Sequence, residues 1–163
     1  MPPDVPLPPG NDLAAVAAWA LGVIQAFGLH DWSFGYNRCV VFLGLCRHGR
    51  RRIELSVHLV QRNPAEEVRE TLLHEIAHAF VGARHGHDAV WKAKCREIGC
   101  KPVRCGWADM PEGVWRAACP GCGARYHRHR RPRKLTGWFC RGCGRERGPL
   151  TWVKGPAAQF SAG

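Results

Sequence analysis

The sequence predicts an α+β fold in two parts: helices with a short antiparallel sheet, followed by a small module built on four cysteines. Three observations carry this. Val68, Leu72, Ile76 and Phe80 recur at four-residue spacing, with Leu73 and Ala77 beside them, the period of a helix buried along one face. Residues 32–36, 39–46 and 52–57 read as strands, the last two joined by a turn at His48 and Gly49. The pairs Cys119/Cys122 and Cys140/Cys143 have seventeen residues between them, a spacing that brings four sulfurs to one tetrahedral centre. The expected boundaries are a disordered tail at 1–10, a main domain at 11–110, the four-cysteine module at 111–155 and a loose tail at 156–163.

Each element has a local reason. Residues 1–10 hold five prolines and should not order. Residues 11–27 read as an Ala-rich helix capped by Asn11 or Asp12 and closed at Gly28. Its apolar character invites a signal-peptide reading, but the preceding residues carry Asp4 and no Lys or Arg. No stretch reaches the eighteen or so apolar residues of a membrane span, so a packing helix is expected. The central helix should start with Asn63 as N-cap, Pro64 at the first helical position and Glu66 three residues after the cap, and end at Gly82. A second helix is expected over 88–98, capped by Asp88 and stopped at Gly99. Residues 100–118, with Pro, Gly and two Trp, read as a packed connector.

Inside the central helix lies His74-Glu75-Ile76-Ala77-His78, an HExxH motif. Residues four apart share a helix face, so His74 and His78 can bind one Zn²⁺. Glu75 then stands beside the metal, placed to take a proton from an activated water and return it to a leaving amine. A catalytic zinc needs a third protein ligand and one open position. His87, His85 and Glu97 are the candidates, and the Gly and His that a metzincin needs are replaced by Val81 and Arg84.

Residues 71–99, TLLHEIAHAFVGARHGHDAVWKAKCREIG, resemble the SprT-like (Spartan-type) metalloprotease domain. Gly86, His87, Trp91 and Lys92 match the family's Gly-His pair and following helix, and Ile53-Glu54-Leu55-Ser56 is similar to its strand before the metal helix. The resemblance spans about residues 30–155 and implies a small zincin-type metalloprotease domain with His87 as third zinc ligand. One departure is Asp88-Ala89-Val90, where many members have Gly-Pro-Glu. Bacterial members also end in a zinc ribbon. The family's substrates are proteins bound or covalently crosslinked to DNA, so the resemblance implies those partners here.

The cysteine pairs support the same domain order. Cys119, Cys122, Cys140 and Cys143 fill a tetrahedral site and leave no position for water, so this second zinc should be structural. Gly123 and Gly144 after each pair suit tight turns. Cys39, Cys46, Cys95, Cys100 and Cys105 remain, an odd number with no secretion signal, which argues against a disulfide framework. A further cluster of Cys95, Cys100 and Cys105 is the alternative to five small apolar residues. His30, His48 and His58 have no partner pattern.

Charge concentrates in the ribbon. Residues 119–154 hold ten basic side chains and one acid, Glu146, and so account for +9 of the formal +11. Arg125, Arg128, Arg130, Arg131, Arg133 and Lys134, interleaved with Tyr126 and followed by Trp138, suit phosphate contact and base stacking. The expected protein is a zinc endopeptidase with catalytic Glu75, two zinc ions and a DNA-binding ribbon. It is expected to be monomeric and cytoplasmic at the nucleoid, or nuclear in a eukaryote. The alternatives are a non-catalytic nucleic-acid-binding zinc protein, and a general zinc aminopeptidase with Glu97 as third ligand.

Overall fold

A computed structural model describes residues 3–103 and 108–155. The chain divides into two compact units, one up to Met110 and one from Pro111 onward.

The first unit runs α1 (Leu13–Ala26), β1 (Ser33–Asn37), β2 (Gly44–Arg47), β3 (Arg52–Ser56), α2 (Val57–Arg62), α3 (Ala65–Val81) and α4 (Ala89–Glu97). Asp12 caps α1 by accepting from the Ala15 N–H at 2.8 Å. The three strands lie in the order β1-β3-β2. The sheet is mixed where an antiparallel one was expected. β2 pairs antiparallel with β3, but β1 runs parallel to β3. The chain leaves β1, loops through 38–43 into the edge strand β2, and turns back so that β3 inserts between the two. A His48–Arg50 turn makes the reversal, with Arg51 at φ 45. As a central strand, β3 is buried along Ile53, Glu54, Leu55 and Ser56. The buried Glu54 carboxylate is paired with Arg47 at 2.9 Å and Arg52 at 3.3 Å.

The core of this unit comprises Val16, Ala20 and Ile24 of α1, Ile53 and Leu55 of β3, Leu59 and Val60 of α2, and Val68, Leu72, Leu73 and Ile76 of α3. Of the expected α3 stripe, Phe80 departs: it is 40% exposed, stacked edge-on to Phe27 and under the Lys94 ammonium.

Three local expectations are corrected. Asn63 is not the cap of α3; Pro64 holds that position. The Asn63 amide instead bridges Leu59 O at 3.0 Å and the Asp109 backbone at 2.9 and 2.6 Å, which ends α2 and ties down the connector. The expected strand over 39–46 shortens to Gly44–Arg47, because Ser56 and Asn37 side chains bond the backbone at Cys39 and hold it out of the sheet. The Pro-rich segment is not disordered over residues 3–10. Val5 is buried, its carbonyl accepts from Arg69 Nε at 2.8 Å, and Pro6 O accepts from the Trp19 indole at 3.1 Å. Composition alone missed these anchors.

The second unit contains β4 (Trp115–Ala118), β5 (Arg125–Arg128), β6 (Trp138–Cys140), α5 (Gly144–Arg147), β7 (Gly148–Leu150) and β8 (Val153–Lys154). A three-stranded sheet has the order β5-β4-β8, and β6 pairs with β7. Each cysteine pair sits at a reversal: the first between β4 and β5, the second between β6 and α5. Its buried core is Ala117, Cys119, Cys140, Leu150 and Trp152. The loose tail expected at 156–163 lies outside the described residues, as does Cys105.

Candidate metal centres and catalytic cleft

Two ligand groups form. In the first unit, α3 projects His74 and His78 from one face, as their four-residue spacing requires. The helix ends at Gly82, whose φ of 84 turns the chain back so that the 83–88 loop returns His87 to the same point. His74 Nε2 and His78 Nε2 lie 3.0 and 3.3 Å from His87 Nε2. A tetrahedral zinc with bonds of about 2.0–2.1 Å spaces its nitrogens about 3.3 Å apart. The donor set therefore fits zinc in both chemistry and dimension. Glu97 does not join it: its carboxylate is 64% exposed and bonded to Lys94 at 2.7 Å. His85 Nδ1 is held by Asp88 at 2.8 Å.

Trp91 of α4 supports all three imidazoles. It is fully buried, with ring centroids 4.6, 5.2 and 4.6 Å from His74, His78 and His87. Asp88 orients this helix by accepting from the Trp91 N–H at 3.0 Å.

Burial sets the charge states. It pushes His74 down to about 3, helped by His78 and His87, so the ring is a neutral donor at physiological pH. His78 falls to about 4 through burial, His87 and His48, opposed by a hydrogen bond to the His85 backbone. Burial pushes the Glu75 carboxyl up to about 8, opposed by the Cys46 backbone N–H that donates to it. A cation held by the histidines would draw it back down. A buried carboxyl with a raised pKa beside convergent imidazoles is the signature of an acid–base site.

The group opens into a cleft of about 460 Å³, lined by Val41, Phe42, Gly44, His48 and His85 among others. At Gly44 the β2 backbone approaches so closely that a Cβ would sit 2.8 Å from Glu75 Cγ and Oε1. A lone glycine in a strand signals such an approach, so Gly44 was findable in the sequence; Cys46 and His48 were not. Tyr36 of β1 donates its hydroxyl to Leu13 O at 2.8 Å.

In the second unit Cys119, Cys122, Cys140 and Cys143 converge, all ligand atoms within 4.8 Å of one another. Cys122 Sγ and Cys140 Sγ are 3.7 Å apart, against about 3.8 Å for thiolates around a tetrahedral zinc with bonds of about 2.3 Å. Glycines permit the closure: a Cβ at Gly148 would lie 2.8 Å from both Cys140 and Cys143 Cβ. Tyr126, expected to face bases, turns inward and donates to Cys140 Sγ at 3.2 Å. That bond, with the Cys143 and Gly142 amides, holds the Cys140 thiol down at about 6. Cys143, sharing protons with Cys122 and Cys119, is pushed up to about 12.

Arg125, Arg128, Arg130, Arg131, Arg133 and Lys134 are all exposed. Arg128 lies over Trp138 at 4.5 Å and Trp152 at 5.3 Å, and Arg131 over Trp115 at 5.7 Å. Arg125 is on β5, while Arg130, Arg133 and Lys134 belong to the 129–137 loop, where Lys134 O accepts from the Trp138 indole at 2.8 Å. None of these six is in an ion pair among the described residues.

An α+β unit with three converging histidines, an adjacent buried glutamate and a four-cysteine module defines the class: a zinc-metalloprotease-type domain followed by a zinc ribbon. The sequence model of the SprT-like family matches residues 19–110. The chain belongs to the SprT-like family. Comparison with curated proteins finds no match. No helix among the described residues is long and apolar enough to cross a membrane.

Proposed function

We propose that this chain is a zinc-dependent endopeptidase that acts on proteins bound or crosslinked to DNA, with the ribbon holding the DNA. The observation that carries the chemistry is the buried Glu75 carboxyl beside the three converging imidazoles at the open cleft. His74, His78 and His87 would hold the catalytic ion. Bound zinc supplies Lewis acidity to a water and to the scissile carbonyl. Glu75 takes the proton from that water and delivers it to the leaving amine. Its burial keeps the proton within the site, and the Cys46 N–H fixes the carboxylate that results. Trp91 keeps the ligand rings from turning away.

The substrate class rests on family membership together with the ribbon's exposed cations. Arg130, Arg133 and Lys134 suit phosphates, and Trp138, 37% exposed, suits a stacked base. On this reading the chain works as a monomer on DNA, at the nucleoid or in a nucleus. A purely structural three-histidine site would give the buried Glu75 no role.

The test is proteolysis of a DNA-binding protein by the zinc-loaded chain, with and without DNA. Wild type should cleave, faster with DNA, and Glu75→Gln should lose cleavage while keeping its zinc and its DNA affinity. Cleavage by Glu75→Gln at the wild-type rate would overturn the mechanism.

A further inference from the structure

The loop between β1 and β2 is apolar at its tip and tied down at its base. The Ser56 hydroxyl donates to Cys39 O at 2.6 Å, the Cys39 N–H donates to Asn37 Oδ1 at 2.9 Å, and the Phe42 N–H donates to Cys39 Sγ at 3.3 Å. So anchored, the loop presents its tip outward: Val41 is 61% exposed and Phe42 56%, while the next residue, Leu43, is buried. Both exposed side chains line the catalytic cleft, where Leu43, Leu45 and Ala83 continue the apolar wall. Two large adjacent side chains left in water forgo the stabilisation that burial brings. At about 460 Å³ the cleft has the size of a ligand site, and the mostly apolar lining of such sites is covered by what they bind.

β2 supplies a register for that occupant. It is the edge strand of its sheet. The Ser56 N–H donates to Leu43 O at 2.8 Å, so by the alternation of an antiparallel ladder Leu45 also bonds to β3, and Gly44 and Cys46 turn their peptide groups away from it. The Cys46 N–H accordingly reaches Glu75. An extended polypeptide can add to this edge beside the catalytic carboxyl. Its side chains then alternate between the two faces, so one at a fixed offset from the scissile bond meets the loop tip.

We propose that Val41 and Phe42 are specificity-determining residues, forming an apolar subsite that takes a large aliphatic or aromatic side chain at one fixed position beside the scissile bond. This rests on the peptidase reading and narrows its substrate. Folded proteins bury most such side chains, so a cleft that selects for one acts on locally unfolded chain.

The experiment gives the zinc-loaded full chain a mixed pool of unstructured peptides and reads the cleavage sites by mass spectrometry. Leu, Met, Phe and Tyr should be enriched at one position relative to the cut. Two peptides that differ only by Phe or Ser at that position then give the selectivity as a ratio of kcat/KM. Wild type should favour the Phe peptide by about tenfold or more, the lower end of what burying one large apolar side chain is worth. Phe42→Ser and Val41→Ser should each lower that ratio about threefold or more, and Phe42→Leu should hold it within about twofold. A damaged site would slow both peptides together, so only loss of the subsite moves the ratio. Both positions are exposed, so zinc content and melting temperature should not change. A flat wild-type cleavage profile, or a ratio unchanged in both Ser variants, overturns the proposal alone. A wild-type dimer that Phe42→Ser disperses without moving the ratio also overturns it, because a second copy would then be what covers the tip. Failure of the zinc-loaded chain to cut any peptide overturns the peptidase reading with it.

Discussion

Replacing Gly44 with Ala tests the site at its tightest point. The added Cβ would lie 2.8 Å from both Glu75 Cγ and Oε1, and 3.1 Å from Cδ. Ordinary contact begins at about 3.4 Å, so one partner must yield by about 0.6 Å. β2 is held by its ladder to β3, with Gly44 opposite Leu55, and so the Glu75 side chain should move. Overpacking of this kind costs about 1–3 kcal/mol of stability. The effect on chemistry should be larger, because a displacement approaching 1 Å at a reacting group costs about 10²-fold in rate. Glu75 is not a ligand, so the metal should stay. The expected result is a modest fall in melting temperature, unchanged zinc content and a kcat on an unstructured peptide lower by one to two orders of magnitude. A Gly44→Ala chain with wild-type kcat would refute the idea that β2 positions the carboxylate.

Three other outcomes are expected. Elemental analysis should find two zinc ions in wild type and one in each of His78→Ala and Cys140→Ser; one ion in wild type would contradict the two-centre reading. The metal-free chain should show a pH optimum of stability. Burial lowers His74 and His78 to about 3 and 4, so their contribution is complete above about 6.5 and is lost as pH falls through those values. Burial raises Glu75 to about 8, so its contribution is complete below about 4.3 and is lost as pH rises through 8. Two histidines outweigh one glutamate below pH 6.5, so denaturant midpoints should peak near that pH, and Glu75→Gln should remove the alkaline decline. Substituting Ala at Arg130, Arg133 and Lys134 together should flatten the slope of log K for DNA against log salt by about two to three, at about 0.7–0.9 per phosphate contact. An unchanged slope would make the loop a solvated surface.

What the sequence disclosed follows the range of the interactions. His74, Glu75 and His78 were legible because a helix makes their relation local: four residues fix one face. The two cysteine pairs were legible for the same reason, since each turn is closed within four residues. His87 was one of three candidates on spacing alone, because its placement depends on how the 83–88 loop folds back from Gly82. What remained hidden is long-range. The closeness of Gly44 to Glu75 joins residues thirty-one apart in sequence. His48 reads as incidental until the β2–β3 turn brings it to the cleft. Tyr126 reads as an exposed aromatic among arginines, yet its hydroxyl bonds a sulfur fourteen residues away. Asn63 followed by Pro64 is a sound local cap signal, and it failed because the connector at Asp109 offers the amide better partners.

The two metal centres ask different things of the chain, and the difference lies in what is buried beside the ligands. Around His74 the helix carries Leu72, Leu73 and Ile76 into a core shared with α1, α2 and β3. That core is built of apolar side chains from four elements, and burial holds His74 neutral while Trp91 packs against it. Metal bound there would have little folding to do, which would leave its binding energy and an open position for chemistry. Among the described residues the second unit's core comprises five buried side chains, and two of them, Cys119 and Cys140, belong to the four-cysteine group. Four sulfurs this close cannot all be thiolates without a cation to offset their mutual repulsion. A core so small does not fold on apolar burial alone, so an ion held by the four sulfurs would be part of the core, and its removal should unfold this unit while α3 keeps its helix. The cations of the 129–137 loop would then have a fixed geometry only while that ion is bound, which would tie the proposed grip on phosphate to the metal.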